Sequence, residues 1–164
     1  MDCPPWLDQE EQSLWRALVA VHAHLLARLD EELVAAGGVS LGEFEVMVNL
    51  SEAPGRSLRM AELATRLALS PSGLTRRVDG LVRQRMVERR ACPSDARGSL
   101  AVLTDEGMAQ LAVAAPAHVV GVRRYLIDPL PGPARAGLAA GLARIQLALD
   151  AGTGCPSRPE PRPP

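Results

Sequence analysis

In the first part of the chain, apolar residues recur among polar ones with the spacing of two successive α-helices. Over residues 7–36, leucine and valine recur every three or four positions, which places them on one face of a long helix. Gly37 and Gly38 predict the end of that helix. Ser40 can cap a second helix that continues to about Glu52.

The middle of the chain carries the pattern helix, turn, helix and hairpin. Residues 60–67 predict a short helix, and Ser70 followed by proline opens the next one. The serine hydroxyl accepts hydrogen bonds from the first amides of a helix, and proline suits its first position. Strand-like runs at residues 86–91 and 98–103 then flank a loop at 92–97. This order is that of a winged helix-turn-helix, in which the second helix reads a DNA major groove.

Two further helices follow the hairpin. Thr104 can cap a helix that runs to about residue 127, and residues 134–149 form the last amphipathic stretch. The apolar faces of these helices and of residues 7–36 are larger than one small winged helix can cover. Pairing two copies would bury these faces and place two reader helices about one turn of DNA apart, so we expect a homodimer.

The predicted fold class is mostly α with a small β-wing, a winged helix-turn-helix whose N- and C-terminal helices form a dimerisation region. The predicted segments are a flexible N-terminal arm at residues 1–6, an N-terminal dimerisation helix at 7–36, a winged helix-turn-helix DNA-binding domain at 40–107 with its reader helix at about 70–84 and its wing at about 87–103, C-terminal dimerisation helices at 108–149, and a disordered tail at 150–164. The tail is rich in proline and poor in apolar residues, which is typical of a segment that does not pack.

Charge is distributed unevenly between these segments, although the net charge is only −1. Residues 1–52 carry ten acidic residues and two arginines, a net charge of −8, whereas residues 56–97 carry four acidic residues and ten arginines, a net charge of +6. The basic excess predicts a polyanion as the partner of the winged segment alone. Acidic residues within that segment, Glu62, Asp79 and Glu88, are expected to form local ion pairs with its arginines.

The start of the reader helix offers short polar side chains and backbone amides to base edges and phosphates. Arg76 is the strongest candidate for a base contact, because a guanidinium can donate two hydrogen bonds to a guanine edge. Arg97 on the wing suits the minor groove or its phosphates, and Asp95 can orient it. The candidate DNA-binding residues are Ser70, Ser72, Thr75, Arg76, Arg77, Asp95 and Arg97.

The stretch RMAELATRLALSPSGLTRRVDGLVRQRMVERRACPSDARGSLAVLTDEG resembles the winged-helix core of the multiple antibiotic resistance regulator (MarR) family, and the resemblance extends to about residues 14–149. Its SxSGLTR reader helix, DxR wing and LTDEG helix start carry the likeness. The resemblance implies a homodimeric bacterial transcription factor, usually a repressor, on a pseudo-palindromic double-stranded operator. It also implies release by a small-molecule effector, often aromatic.

Three positions depart from the family pattern. Arg85 stands where the family usually ends the reader helix with glycine; if the backbone there is left-handed, arginine costs roughly 1 kcal/mol relative to glycine. Gly80, within the reader helix, costs roughly 0.5–1 kcal/mol relative to alanine. Ala96 replaces a frequent wing arginine, so each wing is expected to make one phosphate contact fewer.

An effector cavity is expected between the long helices and the winged domain. Its candidate lining residues are Trp15, His22, Phe44, Met47 and His118, for which ordinary core packing is the alternative. A cysteine-based redox switch at Cys92 is a second hypothesis for the trigger, since oxidation there could displace Arg97. Cys3, Cys92 and Cys155 have no metal-ligand spacing, and we expect no metal and no cofactor.

Other classes of function find less support in the sequence. A winged helix that docks proteins without binding specific DNA stays open, although it would not require the net charge of +6 between residues 56 and 97. We find no nucleophile with a nearby base, no phosphate loop and no metal cluster, and therefore expect no enzymatic activity. The absence of a signal pattern and of an apolar run near 18 residues predicts a cytoplasmic protein without a membrane span.

Overall fold

The structure is a computed structural model that describes residues 6–92 and 95–151, with the backbone alone at 95–97. The predicted arm at residues 1–6, except Trp6, and the predicted tail from residue 152 lie outside the described residues, as do Cys3 and Cys155. The elements in chain order are α1 (Gln9–Gly37), α2 (Leu41–Ser51), β1 (Ser57–Arg59), α3 (Met60–Arg66), α4 (Pro71–Arg83), β2 (Val87–Cys92), β3 (Asp95–Leu103), α5 (Asp105–Val122) and α6 (Gly132–Ala151). The predicted fold class is confirmed.

Helix boundaries follow the capping residues of the sequence. Asp8 accepts a hydrogen bond from the Glu11 amide and begins α1, and Gly38, with φ of 68°, ends it in the left-handed conformation that glycine adopts without strain. Ser40 and Glu43 form the same reciprocal cap at the start of α2. The predicted ends of these helices are therefore correct to within two residues.

One aliphatic core holds the winged domain together. Its fully buried side chains come from α1, α2, α3, α4 and the sheet, among them Leu33, Met47, Leu63, Leu81 and Val87. Only the C-terminal part of α1 contributes to it, since Leu29 and Leu33 are buried whereas Leu14 is 71% exposed. The reader helix α4 thus packs on a buried apolar core, and the first half of α1 has no apolar neighbour in the described part of the chain that buries it.

The wing belongs to a three-stranded antiparallel sheet in the order β1–β3–β2. Strand β1 was not predicted; its three residues pair with β3 from Ser57 opposite Val102 to Arg59 opposite Leu100. The loop predicted at residues 92–97 is wrong at both ends, because Cys92 ends β2 and pairs with Asp95 at the start of β3; residues 93–94 lie outside the described residues. Pairing between strands extends each strand beyond the limit that its own apolar pattern predicts.

The helix after the wing is fixed by its first turn. Thr104 accepts a hydrogen bond from the Gly107 amide and donates one to the Arg85 carbonyl at 2.8 Å. A β-carbon at Gly107 would overlap the carbonyl oxygen of Met86, so this approach of α5 to the backbone needs glycine. The helix ends at Val122 rather than near residue 127, and a π-helical turn, Arg123–Ile127, follows it.

The chain divides into two compact units, Met1–Tyr125 and Leu126–Pro164. In the second unit, α6 presents exposed apolar side chains along its length, namely Leu138, Leu142, Ile145, Leu147 and Leu149. Over the described residues, no single helix is both long and apolar enough to span a membrane; only the bent pair of α1 and α2 meets that length and composition when the two are taken together.

Candidate nucleic-acid interface

The reader helix α4 is oriented by its buried face. Leu74, Val78 and Leu81 recur at helical spacing and lie in the core, which turns the opposite face of α4 to solvent. The Ser70 hydroxyl accepts a hydrogen bond from the Gly73 amide at 3.1 Å and so starts the helix. The exposed edge and the capped N-terminus of α4 therefore lie together.

Three predicted contact residues share this edge. Ser70 and Ser72 are exposed, and their hydroxyl oxygens lie 3.2 Å apart. Arg76 is exposed one turn further on, and in the described part of the chain its guanidinium forms no hydrogen bond or ion pair. Thr75 is half-buried beside them. The edge thus offers two hydroxyls and a guanidinium whose donors are available to another molecule.

Arg77 takes a different direction from Arg76. Its Nη1 lies 3.4 Å from Oε2 of Glu45 in α2. A β-carbon at Gly42 would lie 2.7 Å from Cζ of Arg77, so the guanidinium rests on the first turn of α2. The structure therefore places Arg77 between the two helices and apart from the exposed edge.

Gly80, a departure from the family pattern, has a packing reason. A β-carbon there would lie 2.8 Å from Oε1 of Glu43. That carboxylate caps α2 by accepting a hydrogen bond from the Ser40 amide at 3.0 Å, and it accepts another from Gln84 at 3.3 Å. The glycine leaves room for Glu43, which links the cap of α2 to the end of the reader helix.

Arg89 connects the wing to the reader helix, a role that was not predicted for it. Its Nη2 lies 2.8 Å from Oδ1 of Asp79 and 3.4 Å from the carbonyl oxygen of Thr75, both in α4. The expected local ion pairs are confirmed, with Asp79 bound to Arg89, Glu88 to Arg90 at 2.8 Å and Glu62 to Arg66 at 2.7 Å. Sequence spacing predicts ion pairs within a helix, where oppositely charged residues lie three or four positions apart. It does not predict the ion pair between β2 and α4.

At the wing tip, the structure describes only the backbone of residues 95–97. Asp95 and Arg97 lie in β3, and their side chains lie outside the described residues, so their expected DNA contacts stay predictions. Arg85, between α4 and β2, has φ of 61°. The left-handed backbone that the family glycine would occupy is thus present, with arginine in its place.

A cavity of about 260 Å³ lies between α2 and α5. The rings of Phe44 and His118 lie 4.7 Å apart at an angle of 37° and line it together. Burial lowers the pKa of the His118 imidazole, and the negative charge of Glu45 opposes that shift. The remaining three predicted lining residues lie elsewhere: Met47 is fully buried in the core, and Trp15 and His22 are exposed on α1.

Cysteine and metal chemistry find little support among the described residues. Cys92 is only 7% exposed, and oxidation of a thiol depends on its exposure, so its burial disfavours the redox hypothesis. Within residues 6–92 and 95–151, no cluster of three or more histidine, cysteine or acidic side chains is arranged to hold a metal ion.

Comparisons with known proteins agree with this geometry. Residues 37–98 match the profile of the MarR family. The fold is similar to that of Sco3205, a MarR family transcriptional regulator from Streptomyces coelicolor solved in complex with DNA, with 36% identity, a TM-score of 0.85, and coverage of 91% of this chain and 93% of Sco3205. It is also similar to AbsC, a MarR family regulator from the same organism, with 35% identity, a TM-score of 0.83, and coverage of 90% and 99%.

A repressor is among the similar sequences. The HTH-type transcriptional repressor YetL of Bacillus subtilis (strain 168) is 35% identical over 88 residues, which are 54% of this chain and 53% of YetL. The chain thus matches about half the length of that curated relative.

Proposed function

The chain belongs to the MarR family of transcriptional regulators, and on that premise we propose that it is a homodimeric repressor that binds a specific, pseudo-palindromic, double-stranded DNA operator. The observation that carries the proposal is the exposed edge of α4, where Ser70, Ser72 and Arg76 lie at a capped helix N-terminus. Hydroxyls and a guanidinium in that position match base edges and phosphates in a major groove. The solved complex of Sco3205 with DNA supports the same partner.

Charge supports DNA over a protein partner. The segment 56–97 has ten arginines and four acidic residues, and Arg76 is exposed with its donors available within the described residues. A basic surface that neutralises several DNA phosphates binds DNA with an affinity that falls steeply as the salt concentration rises. A regulator of this kind works on chromosomal DNA, so we place it in the cytoplasm.

Exposed apolar surface outside the winged domain supports the proposed homodimer. Leu14, Trp15 and Leu18 on α1 are 71%, 58% and 42% exposed. The apolar side chains of α6 are exposed as well. Exposed apolar patches of this extent are uncommon on monomers and typical of interfaces. A twofold pairing through them produces two equivalent reader helices and hence a palindromic site.

Release by a small aromatic effector is supported by the cavity beside Phe44 and His118. The cavity adjoins α2, whose Glu45 contacts Arg77 of the reader helix. A ligand there would lie one side chain away from the DNA-reading element. Trp15 and His22 have no part in this cavity.

Selection of bound duplexes from a random-sequence pool tests the proposal without knowledge of the operator. The purified full chain is expected to enrich one pseudo-palindrome, and the mass of the purified complex is expected to correspond to two chains per duplex. Enrichment of an asymmetric site with one chain would overturn the dimer. Failure to enrich any sequence would overturn specific DNA binding, and the protein-docking hypothesis would then account for the fold.

A further inference from the structure

Helices α2 and α4 interlock through two glycines. Gly42 in α2 leaves room for the guanidinium of Arg77 from α4, since a β-carbon there would lie 2.7 Å from its Cζ. Gly80 in α4 leaves room for the carboxylate of Glu43 from α2, since a β-carbon there would lie 2.8 Å from its Oε1. Each helix thus receives a long charged side chain of the other at a position without a β-carbon. We call these four residues, together with Glu45, the interhelical seam.

Polar contacts hold both charged side chains of the interhelical seam in place. Nη1 of Arg77 lies 3.4 Å from Oε2 of Glu45. Glu43 caps α2 with one carboxylate oxygen, and its other oxygen accepts a hydrogen bond from the Gln84 side chain at 3.3 Å. Arg77, Gly80 and Gln84 recur every three or four positions and so follow one face of α4. The seam is therefore a polar strip along α4, beside its buried apolar face.

The carboxylates of the interhelical seam act against DNA binding in one respect. Negative charge near a surface that binds a polyanion lowers the affinity for every DNA sequence alike. The ion pair between Glu45 and Arg77 is partly exposed, and such pairs add little to the free energy of unfolding. Neither affinity nor stability therefore accounts for Glu45 beside the reader helix, whereas orientation of that helix does.

The interhelical seam restricts rotation of α4 about its own axis. Contacts of Leu74, Val78 and Leu81 bury one face of the helix, but apolar burial is non-directional. A hydrogen bond or ion pair, by contrast, holds only over a short range of distance and angle. Arg76 and Arg77 point about 100° apart around the helix axis. Binding of Arg77 to α2 therefore directs Arg76 towards the exposed edge of α4.

A small rotation of α4 is enough to lose a base contact. A helix with its side chains has a radius of roughly 5–6 Å, so a rotation of about 20° moves the tip of a side chain by about 2 Å. Hydrogen bonds from N–H to oxygen span only roughly 2.7–3.2 Å. A guanidinium displaced that far loses its two hydrogen bonds to a guanine edge but still reaches phosphates. Loss of the seam should therefore reduce discrimination between bases more than affinity for DNA in general.

We propose that Glu43, Glu45 and Arg77 are positioning residues for sequence recognition, which act through Arg76 by holding α4 at one rotation against α2. Arg77, a predicted DNA contact, has this role instead. The inference rests on the proposed function and deepens it, since it names side chains that set the sequence specificity of the reader helix.

Glu45→Gln separates orientation from charge. If Arg77 acted only by contacting DNA, removal of its acidic partner would strengthen binding of all duplexes alike. We expect the variant instead to lose at least about fivefold in discrimination at the base pair that Arg76→Ala identifies, the lower end of what one bidentate contact contributes. Glu62→Gln is the matched control, because Glu62 pairs with Arg66 on its own helix at comparable exposure, and it should discriminate as the wild type does. Unchanged discrimination in Glu45→Gln would overturn the proposal.

Gly80→Ala tests the other half of the interhelical seam. Alanine favours the helix itself, but its methyl group would lie 2.8 Å from Oε1 of Glu43 and displace that carboxylate from Gln84. The same loss of discrimination is therefore expected. In the Glu43→Ala background no carboxylate meets the methyl group, so Gly80→Ala should cause no further loss. No loss in the wild-type background, or an equal loss in both backgrounds, would overturn the role of Glu43.

The orientation of α4 can also be measured without DNA. Residual dipolar couplings of backbone amides in the ¹⁵N-labelled full chain report the tilt and rotation of α4 relative to the core of the winged domain. We expect the couplings of α4 to change in Glu45→Gln and Gly80→Ala and to stay constant in Glu62→Gln. Unchanged couplings in the first two variants would overturn positioning by the seam.

Failure of this inference is separable from failure of the proposed function. If the wild type selects an operator and the seam variants discriminate as it does, the inference fails and the proposed DNA binding stands. If the wild type selects no operator while the couplings of α4 change as expected, the proposed function fails and the seam still orients the helix.

Discussion

Arg89 in strand β2 and Asp79 in helix α4 are joined by an ion pair of 2.8 Å, and the same nitrogen of Arg89 lies 3.4 Å from the carbonyl oxygen of Thr75. The pair connects the wing to the reader helix, the two elements that we propose to contact DNA. A DNA site fixes the distance between the surfaces that the wing and α4 would contact. The ion pair between Arg89 and Asp79 therefore preorganises these two elements in the unbound protein.

Arg89→Ala should weaken operator binding more than it lowers stability. The pair is partly exposed, with 35% and 47% of the two side chains accessible, so its contribution to the free energy of unfolding is about 1 kcal/mol or less. Loss of the connection instead lets the wing move relative to α4. Arg90→Ala, on the same strand and paired with Glu88, removes the same charge without a contact to α4. Equal losses of operator affinity in the two variants would show that charge alone matters.

Arg76→Ala should reduce operator affinity by roughly 1–3 kcal/mol and relax sequence preference, since we propose that its guanidinium reads a base. Competition binding against single-base variants of the selected operator measures both effects. Arg28→Ala on α1, also an exposed arginine, is the control for loss of one positive charge. If Arg76→Ala retains the discrimination of the wild type, the reader-helix assignment is wrong.

Arg85→Gly should stabilise the protein by up to about 1 kcal/mol, because arginine at φ of 61° is strained and glycine is not. The gain is limited by the greater freedom of glycine in the unfolded chain. Arg83→Gly, two residues earlier and still in α4, should instead destabilise by about 0.5–1 kcal/mol. Urea unfolding of the two variants measures both values, and destabilisation by Arg85→Gly would contradict the strain argument.

Gly107→Ala should destabilise the winged domain by about 2 kcal/mol or more, since its methyl group would overlap the Met86 carbonyl, which cannot rotate away as a side chain could. Gly137→Ala in α6 is the matched control, because a β-carbon there has no atom within 4 Å. That substitution should instead stabilise the helix by roughly 0.5–1 kcal/mol. Thermal unfolding of both variants tests the contrast; a neutral Gly107→Ala would mean that α5 approaches the wing less closely.

The pH dependence of stability should contain a contribution from His118. Burial lowers the pKa of its imidazole below that of the unfolded chain, near 6.5, so the unfolded chain takes up its proton first. The contribution is therefore present above the unfolded pKa and is lost as the pH falls through the folded pKa. Urea midpoints between about pH 7.5 and pH 5.5 should fall more steeply for the wild type than for His118→Phe. Parallel curves would contradict the assignment.

The helices and the residues that begin them were predictable because their signals are local, whereas the end of α5 was placed about five residues too far along the chain. Ser40, Ser70 and Thr104 each accept the first-turn hydrogen bond that their position predicted, and apolar spacing identified the buried face of α4. The family and the fold class, both confirmed, were also predicted from such local signals. Strand β1 was missed because its three residues depend on pairing with β3, which lies more than forty positions away.

The site was harder to predict than the fold because its contacts join distant residues. The pattern of α4 identified Arg76 and Arg77 as neighbours on one helix, but only the packing of α2 shows that Arg77 binds Glu45. Likewise Phe44 and His118 meet across the cavity, whereas Trp15 on the same predicted lining is exposed. These side chains were chosen as candidate site residues by residue type, but only tertiary packing determines which of them contact one another.

Sequence-specific recognition by α4 is tested most directly by the ratio of two affinities, measured by fluorescence anisotropy near physiological salt. The purified unliganded protein is titrated against its selected operator and against a shuffled duplex of the same composition. We predict that the protein binds the operator tighter by roughly 10³-fold or more, with two chains at saturation, and that Arg76→Ala reduces this ratio. Equal affinity for both duplexes would contradict sequence-specific recognition by α4.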